Sequence, residues 1–340
     1  MMTIYKPQEL LDIAFKRASK LEVKFKPRTS DITKARKREK ARVTAVADDL
    51  INRLTKMVKT FPTFDNLHPF YYDLTKTLVD LDKFKMVIAS LSGTLKVLKK
   101  VHREHFYKIV YAQKPSIAGN ARKGFYGRIS SIIKRLESQL DYLREQRNIF
   151  RKLPSVSPDL FTIVVAGYPN VGKSSLVRSI SSAKPEISYY PFTTRKLIIG
   201  HRILNEDDPI PQRIQILDTP GLLDRPLSKR NNIELQAIVA LKHLANVIVL
   251  MIDPSETCGY LIANQTHLLK EINATFQDIP IIVNLNKMDI APPDHVSRVK
   301  KEVQAIFPEE EIEILESVAV KEEGVTEIFD AAMKYYSSIF

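Results

Sequence analysis

GYPNVGKSSL, residues 167 to 176, follows the apolar run FTIVVA (161–166) and opens into a helical pattern. Gly167 and Gly172 bracket a loop without bulky side chains, so successive backbone N–H groups can turn inward on phosphate oxygens at a helix N-terminus. Lys173 can reach the β and γ phosphates of a nucleotide, and the Ser174 hydroxyl can bind Mg²⁺. Asn170, Val171 and Ser175 complete the nucleotide-binding set of the loop and the first helical turn. Strand, glycine loop, helix is the order this mechanism needs. Around it, short β-rich runs at 160–166, 197–204, 212–217, 246–252, 279–285 and 312–316 alternate with helical patterns. That alternation predicts a P-loop domain with a mainly parallel sheet covered by helices.

Two further motifs specify the ligand. LDTPGLLD (217–224) follows a strand, which places Asp218 on the Mg²⁺ side and lets the Gly221 amide sense the γ phosphate. NKMD (286–289) ends the run IPIIVNL. A carboxylate accepts the ring N–H and exocyclic amino hydrogens that guanine offers along one edge, and adenine has no such pair. Asp289 thus points to GTP and GDP, with Asn286 fixing the base and the Lys287 stem packing along it. Asn-Lys-x-Asp alone is a weak signal; three motifs in order and in strand context are specific.

Upstream of RKLPSVSPDL (151–160) the pattern changes. Apolar residues recur at three- and four-residue steps from Val43 to Met57, from Leu74 to Leu98 and from Phe125 to Leu143, and a shorter stretch spans 8–21. Three or four amphipathic helices in an antiparallel bundle are expected, with breaks at 60–70 and 112–120. The domain reading is therefore 1–158 helical bundle and 159–340 nucleotide domain. Residues 1–158 carry 34 Lys+Arg against 15 Asp+Glu, a net +19, and the remainder carries −6. An excess confined to one half favours a polyanionic partner, with KARKREKAR (34–42) and KVLKKVHR (96–103) as candidate phosphate contacts. Solvated helix faces are the alternative for each cluster.

The motifs GYPNVGKSSL, YYPFTTRKLIIGH, DTPGLLDRPLSKRNNIELQAIVALKHL and NKMD together resemble the NOG (nucleolar GTP-binding) family of Obg-related GTPases. FDNLHPFYYDL (64–74) and GRISSIIKRLESQLDYLREQRNIFRKLPSV (127–156) extend the resemblance to that family's helical domain. The resemblance implies a GTPase of large-ribosomal-subunit assembly that binds pre-ribosomal RNA through its helical domain. The large-subunit precursor and its rRNA are the implied partners, and ribosomal proteins are further candidates. The chain is similar to the compact archaeal form, ending at TEIFDAAMKYYSSIF. By position, Thr194 of PFTT corresponds to the family's γ-phosphate and Mg²⁺ sensor, with Thr193 the second choice, so Ser174, Thr194 and Asp218 form the implied metal set. Leu222 stands where many GTPases carry the glutamine that orients water, which implies slow hydrolysis; Arg195 is a weak candidate for a finger in cis. Asn170 matches the ion-binding asparagine of K⁺-stimulated relatives, with loop shaping as the alternative. Where the family pattern has Ser-Ala, this chain has Val318-Ala319, with Ser317 one residue early; the Ala319 amide is expected to face the guanine carbonyl.

Composition excludes other classes. The single cysteine, Cys258, cannot form an intrachain disulfide or the usual zinc spacings, and burial as a small hydrophobe is its expected role. The start shows no apolar core of signal-peptide length and no apolar run is membrane-sized, so a cytoplasmic protein, monomeric off the ribosome and without a membrane partner, is expected. A nucleotide-sensing RNA-binding scaffold, and a GTPase acting on another RNA or protein target, are the alternative readings.

Overall fold

The structure is a computed structural model that describes residues 3–190, 197–204, 212–308 and 312–336. The chain divides into two compact units: Met1–Asn66 with Leu78–Arg151, and Leu67–Thr77 with Lys152–Phe340.

The first unit is helical. It comprises α1 (Pro7–Ser19), α2 (Asp31–Lys59), α4 (Leu81–Val110), α5 (Pro115–Lys134) and α6 (Glu137–Phe150). Each long helix begins at a readable signal: the Ser30 side chain caps α2 by accepting from the Thr33 amide, and Asp80 caps α4 by accepting from the Lys83 amide. Val43, Val46, Leu50, Leu54 and Met57 of α2 are fully buried, facing inward as their spacing predicts. The continuous apolar run from Leu74 to Leu98 is, however, two helices. α3 (Pro69–Leu78) stops, and α4 restarts past Asp80, whose extended backbone interrupts the helix. The run from Phe125 to Leu143 likewise divides into α5 and α6 at Arg135–Leu136. Among the described residues six α-helices therefore occupy the region read as three or four, because apolar spacing continues across a turn that the caps define.

Much of the basic charge in α2 is internally committed. Glu39, 4% exposed, is surrounded by Arg38, Arg42 and Arg122, the last at 2.5 Å. Asp49 accepts from Arg17 and Arg53. Carboxylates this buried require such partners, since an unpaired buried charge is costly.

The second unit holds a seven-stranded sheet in the order β2-β3-β4-β1-β5-β6-β7. Its strands are β1 (Phe161–Ala166), β2 (Glu186–Ser188), β3 (Leu197–Leu204), β4 (Gln212–Asp218), β5 (Val247–Ile252), β6 (Ile281–Asn286) and β7 (Ile314–Ser317). β3 runs antiparallel to β2 and β4; the other pairings are parallel. Every residue of β1, β5 and β6 is buried, as strands covered on both faces demand. The covering helices are α7 (Lys173–Ile180), α8 (Asn232–Ala240), α9 (Ile262–Thr275), α10 (Pro293–Ile306) and α11 (Val325–Tyr336). The predicted strands are all present, and β2 is an addition of three residues in which the single apolar side chain, Ile187, is exposed, too short for a readable pattern. No described helix is long and apolar enough to cross a membrane.

α3 belongs to this second unit although it lies in the helical stretch of sequence. Phe70 and Leu74 are fully buried in the same apolar cluster as Phe161, Val156 and Tyr190. The Tyr71 hydroxyl reaches the carbonyl oxygens of Pro154 and Val156 at 2.9 and 2.7 Å.

Candidate nucleotide-binding site

Parallel strands β1, β4, β5 and β6 bring their C-terminal ends to one edge, where ligands of open α/β sheets bind. A cleft of about 580 Å³ lies there, lined by the 169–175 loop, Pro220, the 286–290 segment and the 318–321 loop. The phosphate loop and the base motif, more than 100 residues apart, thus share one cavity.

The loop is shaped by close approaches that exclude side chains. Gly172 has φ +112°, and a Cβ there would meet the Asn286 amide nitrogen at 2.1 Å; at Gly167, φ +134°, it would meet the Met251 carbonyl oxygen at 2.5 Å. Asn170 also has positive φ, +64°, a conformation asparagine tolerates better than most residues. That backbone gives the loop-shaping role of Asn170 a structural basis. Gly172 is the N-cap of α7, so the first amides of the helix point toward the cleft. Lys173 Nζ donates to the carbonyl oxygens of Gly167 and Tyr168 at 2.7 and 2.8 Å, which folds its side chain back over the loop. Val171 is buried and Ser175 half-buried.

Ser174 Oγ donates to Asp218 Oδ2 at 2.5 Å, joining the first turn of α7 to the end of β4. Asp218 is fully buried, and its Oδ1 has no hydrogen-bond partner among the described residues. Burial pushes this carboxyl above its ordinary range, opposed by the Ser174 hydrogen bond and by Lys173. A half-buried hydroxyl paired with a buried carboxylate that keeps an orphaned oxygen is a donor set that fits a hard divalent cation. Thr193, Thr194 and Arg195 lie outside the described residues.

The loop after β4 is tied down. The Gly221 amide, expected to face a γ phosphate, donates instead to Asp224 Oδ2 at 2.6 Å. Arg230 donates to the carbonyl oxygens of Gly221 and Leu222, each at 2.7 Å, and pairs with Asp224 at 3.1 Å. The Leu222 side chain is buried, so nothing polar at that position faces the cleft.

At the base end, Asp289 is exposed and pairs with Lys321 at 2.9 Å; the Lys321 hydrogen bond holds its carboxyl below the ordinary range. Lys287 Nζ donates to Asp253 Oδ2 at 2.7 Å and to Thr257 Oγ1 at 2.9 Å, which anchors the stem that lines the cleft. Burial alone would raise the Asp253 carboxyl, yet the hydrogen bonds from Lys287 and Ser255 hold it below its usual value. Asn286 Nδ2 donates to the Val171 carbonyl at 2.8 Å, linking the base motif directly to the phosphate loop.

The 318–321 loop departs from expectation in one contact. The Ala319 amide donates to Asn286 Oδ1 at 2.9 Å rather than pointing freely into the cleft. Ser317 Oγ donates to the same oxygen at 3.1 Å and accepts from Asn284 Nδ2 at 2.9 Å. Val318 pairs with Glu323 across a short bridge. Ser317, one residue early by the family pattern, therefore orients Asn286 from below. Sequence reasoning missed Asn284, Asp253, Asp224 and Arg230. Asp253 was findable, being a carboxylate just past a parallel strand; Asn284 acts on a neighbour 33 residues away, and Asp224 and Arg230 meet within an irregular loop that no periodicity marks.

Two family descriptions match the chain: the NOG1 N-terminal helical domain over residues 1–157, and nucleolar GTP-binding protein 1 (NOG1) over residues 232–289. An uncharacterized protein of Methanocaldococcus jannaschii is 39% identical over 297 residues, 87% of this chain and 82% of that one. Nucleolar GTP-binding protein 1 of Caenorhabditis elegans is 32% identical over 328 residues, 96% of this chain and 47% of that protein. A Plasmodium falciparum crystal structure assigned to nucleolar GTP-binding protein 1 aligns at 33% identity and TM-score 0.46, covering 55% of this chain and 91% of that one. The chain spans about half the length of the Caenorhabditis relative.

Proposed function

The chain belongs to the nucleolar GTP-binding protein 1 (NOG1) family, and on that premise we propose that it is a slow GTPase acting in large-ribosomal-subunit assembly. The observation that carries this reading is the shared cleft, with phosphate-loop amides at one end and the Asp289 carboxylate at the other. The loop amides and Lys173 hold the phosphates, with Lys173 leaving the Gly167 and Tyr168 carbonyls to do so. Asp289 takes the two guanine hydrogens as Lys321 gives way. Asn286, fixed by Val171, Ser317 and Ala319, keeps base and phosphate ends in register.

Ser174 and Asp218, with Thr194, are the residues that would hold Mg²⁺. When bound, such a cation neutralises charge on the β and γ oxygens. Gly221 senses the γ phosphate by exchanging its Asp224 contact for the ligand. With Leu222 in place of a water-orienting side chain, intrinsic turnover is slow. The basic first 158 residues supply the attraction for precursor rRNA, and the switch elements govern release.

The base assignment is tested by Asp289→Asn. GTP affinity should fall roughly a hundred-fold or more, because one hydrogen bond is replaced by a donor facing a donor and the other keeps only a neutral acceptor. Xanthine nucleotide binding should improve in the same competition assay, since the amide donates to the xanthine carbonyl. Equal loss for both nucleotides would remove Asp289 from the base contact.

A further inference from the structure

The two basic clusters of the helical half differ in what their charges do. In the α2 cluster, Arg38 and Arg42 face Glu39, Arg36 donates to the Ala112 carbonyl, Lys37 to the Lys24 carbonyl, and Lys40 sits over the Phe106 ring. In α4, Lys96, Lys100 and Arg103 are exposed and make no ion pair among the described residues. Steps of four and three residues put these three on one face, and two further steps of four reach Tyr107 and Tyr111. The stripe is about 22 Å long at the rise of an α-helix.

Tyr107 and Tyr111 are 51% and 74% exposed, unusual for rings this large. Their planes lie within 17° of parallel, with centroids 6.3 Å apart. Tyr107 is braced edge-on against Phe106 at 6.0 Å, so the pair presents ordered ring faces. Lys108 and Lys114 flank it, both exposed; Glu104 is the one acidic side chain on this part of α4. Uncommitted cations that run into exposed, parallel aromatic rings match a ligand with a phosphate backbone and unstacked bases. A duplex offers the charge but keeps its bases paired and stacked.

We infer that the α4 stripe Lys96–Lys100–Arg103–Tyr107–Tyr111 is a docking surface for single-stranded RNA, with the cations on phosphates and the two tyrosines stacking on unpaired bases. This rests on the RNA-binding reading above and deepens it: the target is an unpaired segment, and α4 rather than the α2 cluster makes the contact.

The test uses the full chain, a short unstructured RNA, and duplex RNA of equal length. Tyr107→Ala/Tyr111→Ala should weaken single-strand binding roughly ten-fold or more, since each stacked base contributes at least several-fold. Duplex affinity and the salt slope should hardly move. Tyr107→Phe/Tyr111→Phe should bind as the unmodified chain does, because phenylalanine keeps the ring face. Lys96→Ala/Lys100→Ala/Arg103→Ala should lower the salt slope by roughly two for the single strand. The chain has no tryptophan, so tyrosine emission is readable, and its quenching by single-stranded RNA should shrink in the alanine pair. Single-strand affinity unchanged in the alanine pair, or reduced equally for duplex, overturns the stacking surface while leaving RNA binding in place. No binding of either RNA by the unmodified chain overturns both readings.

Discussion

Asp224 is 7% exposed and holds two groups at once, the Gly221 amide and the Arg230 guanidinium. Under the proposed function the first is the amide that would meet a γ phosphate, so nucleotide binding and this hydrogen bond would compete. A charged acceptor roughly doubles the strength of such a bond over a neutral one, a difference of about 1 kcal/mol. Asp224→Asn should therefore release Gly221 more easily and raise the affinity ratio of a GTP analogue to GDP about five-fold. Competition binding with both nucleotides measures the ratio directly. A ratio equal to that of the unmodified chain would mean Gly221 is not held back by this contact. Arg230 keeps its bonds to the Gly221 and Leu222 carbonyls, so the loop should stay folded in the variant.

The packing of α4 on α2 and α5 encloses a titratable group. His102 on α4 bonds to Thr44 of α2 at 3.2 Å and faces the rings of Phe106 and Phe125. Burial lowers its pKa, with Asp48 opposing the effect. A histidine whose folded value is depressed costs nothing while neutral in both states. As pH falls below about 6.5, the unfolded chain gains a proton that the folded chain resists, and stability drops until the depressed value is passed. Denaturant titrations from pH 7.5 to 5 should show a steeper loss in the unmodified chain than in His102→Gln. Parallel slopes for the two would show that His102 does not carry the effect. The helix pair around it was readable from apolar spacing; the depressed histidine was not, because its neighbours lie 58 and 23 residues away.

At the scale of the whole chain, the second unit is discontinuous in sequence. Residues 67–77 contribute Phe70 and Leu74 to its core, and Asp73 meets His243 at 3.0 Å. A fragment of residues 152–340 lacks that helix and leaves Tyr190 without its Phe70 contact, 6.4 Å between ring centroids. Removal of one buried phenylalanine side chain costs about 3–5 kcal/mol, so the fragment should melt several degrees or more below a version with residues 67–77 fused ahead of it by a flexible linker. Scanning calorimetry of the two fragments decides the matter. Identical melting temperatures would make α3 dispensable to the second unit.

The sequence by itself determined what local spacing encodes. The phosphate loop, Asp218 and the Asn286–Asp289 motif were legible because each places a few chemically specific groups within a turn of one another, next to strands whose apolar runs announce burial. Charge asymmetry between the halves was legible by counting. What only the tertiary structure decided depends on groups brought together from afar. Glu39 neutralises arginines from α2 and α5, which separates a committed basic cluster from the one on α4, whose exposed cations make no ion pair among the described residues. Ser317 and Asn284 orient Asn286, and Asn286 in turn requires Gly172 to lack a side chain. Leu74 and Leu81 continue one apolar period, yet they lie on helices of different units, since a helical period persists across a two-residue turn that a capping aspartate creates. Periodicity states which face is buried; the surface it is buried against is fixed by the packing of the folded chain.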